Sequence, residues 1–149
     1  MINPFLLDQT SRRKAWQQVR QQIKDCNSNE EQIDLALNFW KQATLENHVL
    51  DWDNCDHWPG PWELIYSNSY CASSHSLGVA YTLLLSDPQY SDIQLRLIND
   101  KDHYVQKIVA FWKDWVLNHG HVDKKPHSRL QNCYTQATWT WDGKKWNHS

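Results

Sequence analysis

The chain reads as an α+β protein, with helices first, then a helix leading into a small antiparallel sheet, and a β-hairpin at the C-terminus. Three observations predict this. Apolar residues recur at helical spacing through the first third of the chain. The stretch from Tyr70 to Leu85 is the most apolar in an otherwise polar sequence. Beyond Pro88 the period changes to the alternation of a half-buried strand, with Ile93, Leu95 and Leu97 separated by Gln94 and Arg96.

In chain order, residues 1–10 are expected to be extended, with Pro4 fixing an irregular start. Ala15, Trp16, Val19 and Ile23 predict an amphipathic helix over about 11–25, capped by Thr10 or Ser11. Cys26 to Asn29 reads as a turn. Ser28 with Glu31 three residues on matches a capping box, opening a second helix over about 29–44. Val49 to Ile65 is a loop ending in a short helix, with Pro61 suited to its first turn. The central helix spans about 70–86, and Asp87-Pro88 ends it because proline disfavours helical geometry in the residue before it. Strands follow over 93–98, 103–111 and 115–118, arranged as a meander, and then a polar loop from His119 to Ser128. Asp142-Gly143 between the Trp-bearing runs 137–141 and 144–146 predicts a hairpin with a type I′ turn. The whole is expected to form one domain of 1–149, with a helical part (1–48), a core (49–118) and a loop with the hairpin (119–149).

A chain of 149 residues accommodates one sizeable core. The net charge of −2 and a pI near 6.4 give no general drive toward nucleic acid or anionic membrane. No run of about 18 apolar residues is present, so no transmembrane helix is expected. At the start, MINPFLLDQTSRRK, the basic cluster follows the apolar piece, the reverse of a secretory signal. The expectation is a soluble, cytoplasmic protein. Cys26, Cys55, Cys71 and Cys133 are widely spaced and suggest neither a disulfide framework nor a zinc finger. Ten tryptophans serve equally as core fillers or as partner-binding anchors, so Trp-rich surfaces toward protein partners are expected.

Cys71 stands at the head of the central helix, where unpaired backbone N–H groups and the helix dipole favour a thiolate. His103 opens the second strand and Asn118 ends the third. Their order and contexts resemble the papain-like and transglutaminase-like cysteine fold, over roughly residues 62–118. There a nucleophile begins a helix packed on an antiparallel sheet, a histidine follows on a strand, and an Asp or Asn on a later strand orients it. Asn is the papain-type choice and Asp the usual transglutaminase one, so this chain is mixed. The resemblance implies nucleophilic acyl transfer, with Cys71 as nucleophile, His103 as base and Asn118 fixing the ring tautomer. The Cys71 backbone N–H and a donor from residues 62–68 would stabilise an oxyanion. Each piece also has an ordinary use: a buried cysteine on a core helix, one histidine among eight, and a strand-ending asparagine.

No cofactor is expected, and no metal. His119, His121, Asp123 and His127 fall within nine residues, with Asp53, Cys55 and His57 earlier, but solvated loop histidines are the commoner arrangement. Trp52, Trp58 and Trp62 lie in a loop of turn formers and acids. They are read as folding over the core, with a pocket beside Cys71 or a protein interface as alternatives. Residues 61–65, Cys71, 77–83 and 93–98 also resemble small uncharacterised proteins of marine tailed phages. Two functions follow: a thiol-dependent amide hydrolase or acyltransferase, or a non-enzymatic structural or adaptor protein such as a phage virion subunit.

Overall fold

The computed structural model describes residues 2–45, 50–102, 104–118, 125–126 and 130–149. Its helices are α1 (Gln9–Asp25), α2 (Asn29–Trp40), α3 (Pro61–Ile65) and α4 (Ala72–Ser86). Its strands are β1 (Gln94–Asp100), β2 (Val105–Trp112), β3 (Trp115–Val116), β4 (Lys125–Pro126), β5 (Cys133–Trp141) and β6 (Trp146–His148). Among the described residues they form one antiparallel sheet in the order β4-β3-β2-β1-β5-β6. The expected α+β layout is the one observed.

Local chemistry explains most boundaries. α1 starts two residues earlier than its apolar pattern suggests, because Asp8 caps it by accepting from the Ser11 N–H at 2.8 Å. Ser28 caps α2 as expected, accepting from the Glu31 N–H at 3.4 Å. α2 ends at Trp40 rather than near residue 44. Pro61 occupies the first turn of α3. At the C-terminal hairpin, positive φ occurs at Gly143 but not at Asp142, so the type I′ turn, which needs positive φ at both central residues, does not form there. The type I′ expectation is corrected here. The Asp142 carboxylate accepts from the Lys144 and Lys145 N–H groups, which sets Asp142 before the turn rather than within it.

α4 is apolar almost all round because it is covered on both sides. α1, α2 and α3 pack on one side and β2 on the other. Its buried polar residues have partners that tie these layers together. The Thr82 hydroxyl accepts from the indole N–H groups of Trp16 at 2.9 Å and Trp40 at 2.8 Å, and donates to the Gly78 carbonyl. Gly78 lets α4 approach the Trp40 ring more closely than any side chain would permit. Arg12, buried on α1, donates to the carbonyls of Phe5, Ile65 and Ser67 and so joins the N-terminal segment to the α3–α4 connection.

Six of the ten tryptophans are buried: Trp16, Trp40, Trp58, Trp112, Trp139 and Trp146. In the 49–65 loop, Trp58 packs edge-on against Trp139 and donates to the Asp51 carbonyl, the core role expected of it. Trp52 is half-buried, whereas Trp62 is exposed, with the Arg20 guanidinium over its ring. No helix among the described residues is long and apolar enough to cross a membrane.

Candidate active site at the head of α4

Cys71 is the N-cap of α4. Its extended backbone turns the chain into the helix, and its Sγ accepts from the Ser74 N–H at 3.4 Å and lies 3.2 Å from the Ser74 hydroxyl. A sulfur thus takes up one of the four N–H groups that every helix start leaves open. The thiol is free and only 4% exposed.

The first turns of α4 are stitched to β2 by serines. β3 is two residues long and pairs with β2 only at Phe111 and Trp112. Ile108 lies beyond its reach, and the hydroxyls of Ser73 and Ser76 engage it instead. The Ile108 N–H donates to Ser73 Oγ at 3.1 Å, and Ser76 Oγ donates to the Ile108 carbonyl at 2.6 Å. These bonds hold the head of the helix against the middle of the sheet.

β3 ends at Val116 rather than at the expected residue 118, so Asn118 lies two residues beyond the strand. Its Oδ1 accepts from the Ala110 N–H at 3.0 Å and its Nδ2 donates to Ser76 Oγ at 2.6 Å. The structure therefore brings Asn118 to the α4 side of the sheet, linked to the Cys71 helix through Ser76. A carboxamide has two acceptor lone pairs and two N–H donors, so capacity for a histidine ring remains beyond these two bonds. His103 lies outside the described residues, as do His119, His121, Asp123 and His127. Its neighbour Tyr104 has φ +53° and is 95% exposed. Among the described residues no cluster of three or more His, Cys, Asp and Glu side chains is arranged for a metal ion.

His75 was not singled out by the sequence reading. It lies one turn beyond Cys71 on α4, is 8% exposed, and its Nε2 has no hydrogen-bond partner. Burial pushes its pKa below the ordinary value, while a hydrogen bond to the Ala43 backbone carbonyl works the other way. The available signal was an ionisable residue at i+4 from the cysteine inside the most apolar run of the chain.

No protein-family model matches the chain, and no curated protein matches its sequence. Among solved structures, LapG of Legionella pneumophila is similar with a TM-score of 0.74 at 14% identity, over 94% of this chain and 79% of that one. Its calcium-bound form gives 0.74 at 13% identity, over 96% and 83%. An EGTA-treated form gives 0.74 at 14% identity, over 96% and 80%. At such identity the likeness shows the fold. It extends well beyond residues 62–118 and so takes in far more than the stretch that carried the cysteine-fold resemblance. The cysteine-headed helix packed on an antiparallel sheet, which that resemblance implied, is present. The phage resemblance gains no support from these neighbours.

Proposed function

We propose that this chain is a thiol-dependent enzyme acting on amide bonds, a hydrolase or acyltransferase, with Cys71 as nucleophile, His103 as base and Asn118 as the residue that orients the imidazole. The observation that carries this reading is Cys71 at the N-cap of α4, its sulfur accepting a helix N–H. The fold shared with LapG and the place of Asn118 on the α4 side of the sheet support it.

In the proposed reaction, His103 takes the Cys71 proton and the thiolate attacks the carbonyl carbon. The tetrahedral oxyanion collapses with transfer of the proton to the leaving amine, giving a thioester. Water then yields the acid, or a second amine yields a new amide, and the thiol is regenerated.

The second reading, a non-enzymatic structural or adaptor protein on the same scaffold, is favoured by the depth of Cys71 and by the structural bonds of Asn118. Differential alkylation separates the two. Iodoacetamide near neutral pH is expected to label Cys71 at least about tenfold faster than Cys26, Cys55 or Cys133, with thiolate character outweighing burial. A Cys71 that reacts no faster than the other three, or only on unfolding, would sink the enzymatic reading.

A further inference from the structure

A groove of about 600 Å³ lies between α1 and α3, lined by Arg13, Gln17 and Arg20 from α1 and by Trp62 and Tyr66 from α3 and its C-cap. Helical spacing puts the three α1 residues on one face. The Arg20 guanidinium lies 4.4 Å from the centroid of the buried Trp16 ring and 5.2 Å from that of Trp62, which is 48% exposed. Arg12 and Arg96 donate to carbonyl oxygens and to Gln94 Oε1, respectively. Arg20 differs: the two indoles hold it, and among the described residues it has neither a hydrogen bond nor an ion pair. Its Nε is enclosed, whereas its Nη atoms are not. No carboxylate lines the groove, and Glu63, next to Trp62, turns back to accept from the Gly60 N–H. The chain has a net charge of −2, yet α1 carries five of its 15 Lys and Arg residues and one of its 17 Asp and Glu residues. The helix is thus a basic stripe on an otherwise acidic protein, and Arg13, Lys14 and Lys24 are exposed along it.

We propose that this groove binds an extended acidic peptide segment of a partner protein, its carboxylates paired with Arg20 and Arg13. The two indoles fix the plane of the Arg20 guanidinium before any ligand arrives, so little side-chain entropy is lost when its Nη atoms grip a carboxylate. Gln17, one turn from each arginine, offers an amide donor and acceptor to the peptide backbone. The open face of Trp62, with Tyr66 beside it, takes an apolar side chain between the acidic ones. Charge favours a peptide over a nucleic-acid strand. A strand carries negative charge along its whole length and would run off α1 onto a remainder that is net negative, whereas a short acidic segment needs only the α1 stripe. Neither Cys71 nor Asn118 lines the groove, so the inference stands apart from the proposed thiol chemistry.

The test is titration of the isotope-labelled full chain with a synthetic peptide of alternating Glu and Leu, read from indole and guanidinium N–H signals in NMR spectra. Saturable one-to-one binding with a Kd of about 100 μM or tighter is expected at low salt. The Trp62 indole and Arg20 Nε–H signals should move with it. The Trp58 and Trp146 indoles, already bonded to Asp51 and Tyr81, should stay in place. Affinity should fall about threefold between about 50 and 300 mM NaCl. Arg20→Gln and Arg20→Lys should each weaken binding about tenfold, because lysine keeps the charge but loses the fork. Arg13→Gln should weaken it about threefold. Arg13 is exposed, so that variant keeps the test decisive if changes at Arg20 disturb folding. No saturable shift by about 1 mM peptide would overturn the proposal. So would an Arg13→Gln or Arg20→Lys chain that binds like the parent. A Lys-Leu peptide binding equally well would overturn it too, since the groove would then be merely apolar. A short oligothymidylate binding more tightly than the acidic peptide would overturn the choice of a peptide.

Discussion

Thr82→Val tests the junction that holds α4 in place. Valine keeps the shape of threonine and removes only the hydroxyl, so no cavity of consequence forms. What is lost is the shared acceptor for two indole N–H groups, those of Trp16 at 2.9 Å and Trp40 at 2.8 Å, on rings that are 0% and 1% exposed. Each buried donor left unpaired costs about 1–3 kcal/mol. The third bond of the hydroxyl runs to the Gly78 carbonyl, which the helix already uses, so its loss adds little. The methyl that replaces the hydroxyl returns part of the loss, and the net destabilisation is about 2–5 kcal/mol. Urea unfolding followed by tryptophan fluorescence reads it directly, and Tm should fall by about 2–4 °C per kcal/mol for a chain of this length. Thr82→Ser keeps the acceptor and should cost only about 1 kcal/mol, for a lost methyl. A Thr82→Val variant within about 0.5 kcal/mol of the parent would refute the reasoning. So would a serine variant as damaged as the valine one, because keeping the hydroxyl would then not preserve the junction.

Two further outcomes follow from the same helix. Gly78→Ala should destabilise by about 1–3 kcal/mol in urea unfolding, despite the better helix propensity of alanine. The added Cβ would meet the Trp40 ring well inside contact distance, and that ring is fixed by Thr82, Phe5, Phe39 and Tyr70. For His75, burial lowers the folded pKa below the ordinary 6.5, so the unfolded chain binds more protons as the pH drops. The stability from its neutral ring is complete above about pH 6.5 and declines as the pH falls toward the folded value. Melting curves across that range should show this loss in the parent chain and a flatter profile in His75→Gln. Equal slopes would show that the ring does not titrate as a buried group.

Much of this protein was legible in its sequence because the signals are local. The 3.6-residue period of α1, the Ser28 cap of α2, Pro61 in the first turn of α3 and the alternation of β1 each depend on a few neighbouring residues and survive in the fold. Cys71 at the head of the central helix was legible for the same reason. Asp8 as the true cap of α1, and Asp142 shifting the hairpin turn, were missed because several nearby residues competed for those roles and side-chain geometry chose among them.

The sequence by itself determined the main helices and strands, and which helix is apolar all round and so must be covered on both sides. It did not determine the 3-10 turn Pro4–Leu6 in the expected extended start or the strand Lys125–Pro126 in the expected 119–128 loop, which depend on tertiary partners. Only the tertiary structure decided what covers that helix and what that contact makes. The joining of β5 to β1 rather than to β6 alone, the convergence of Trp16 and Trp40 on Thr82, and Ser73 and Ser76 completing the bonds of Ile108 link residues far apart in the chain. So do the groove of Arg20 and Trp62 and the seat of Asn118 against Ser76. The physical reason is that periodicity records which side of an element shuns water, whereas hydrogen bonds and close packing depend on partners that come together only when the chain closes.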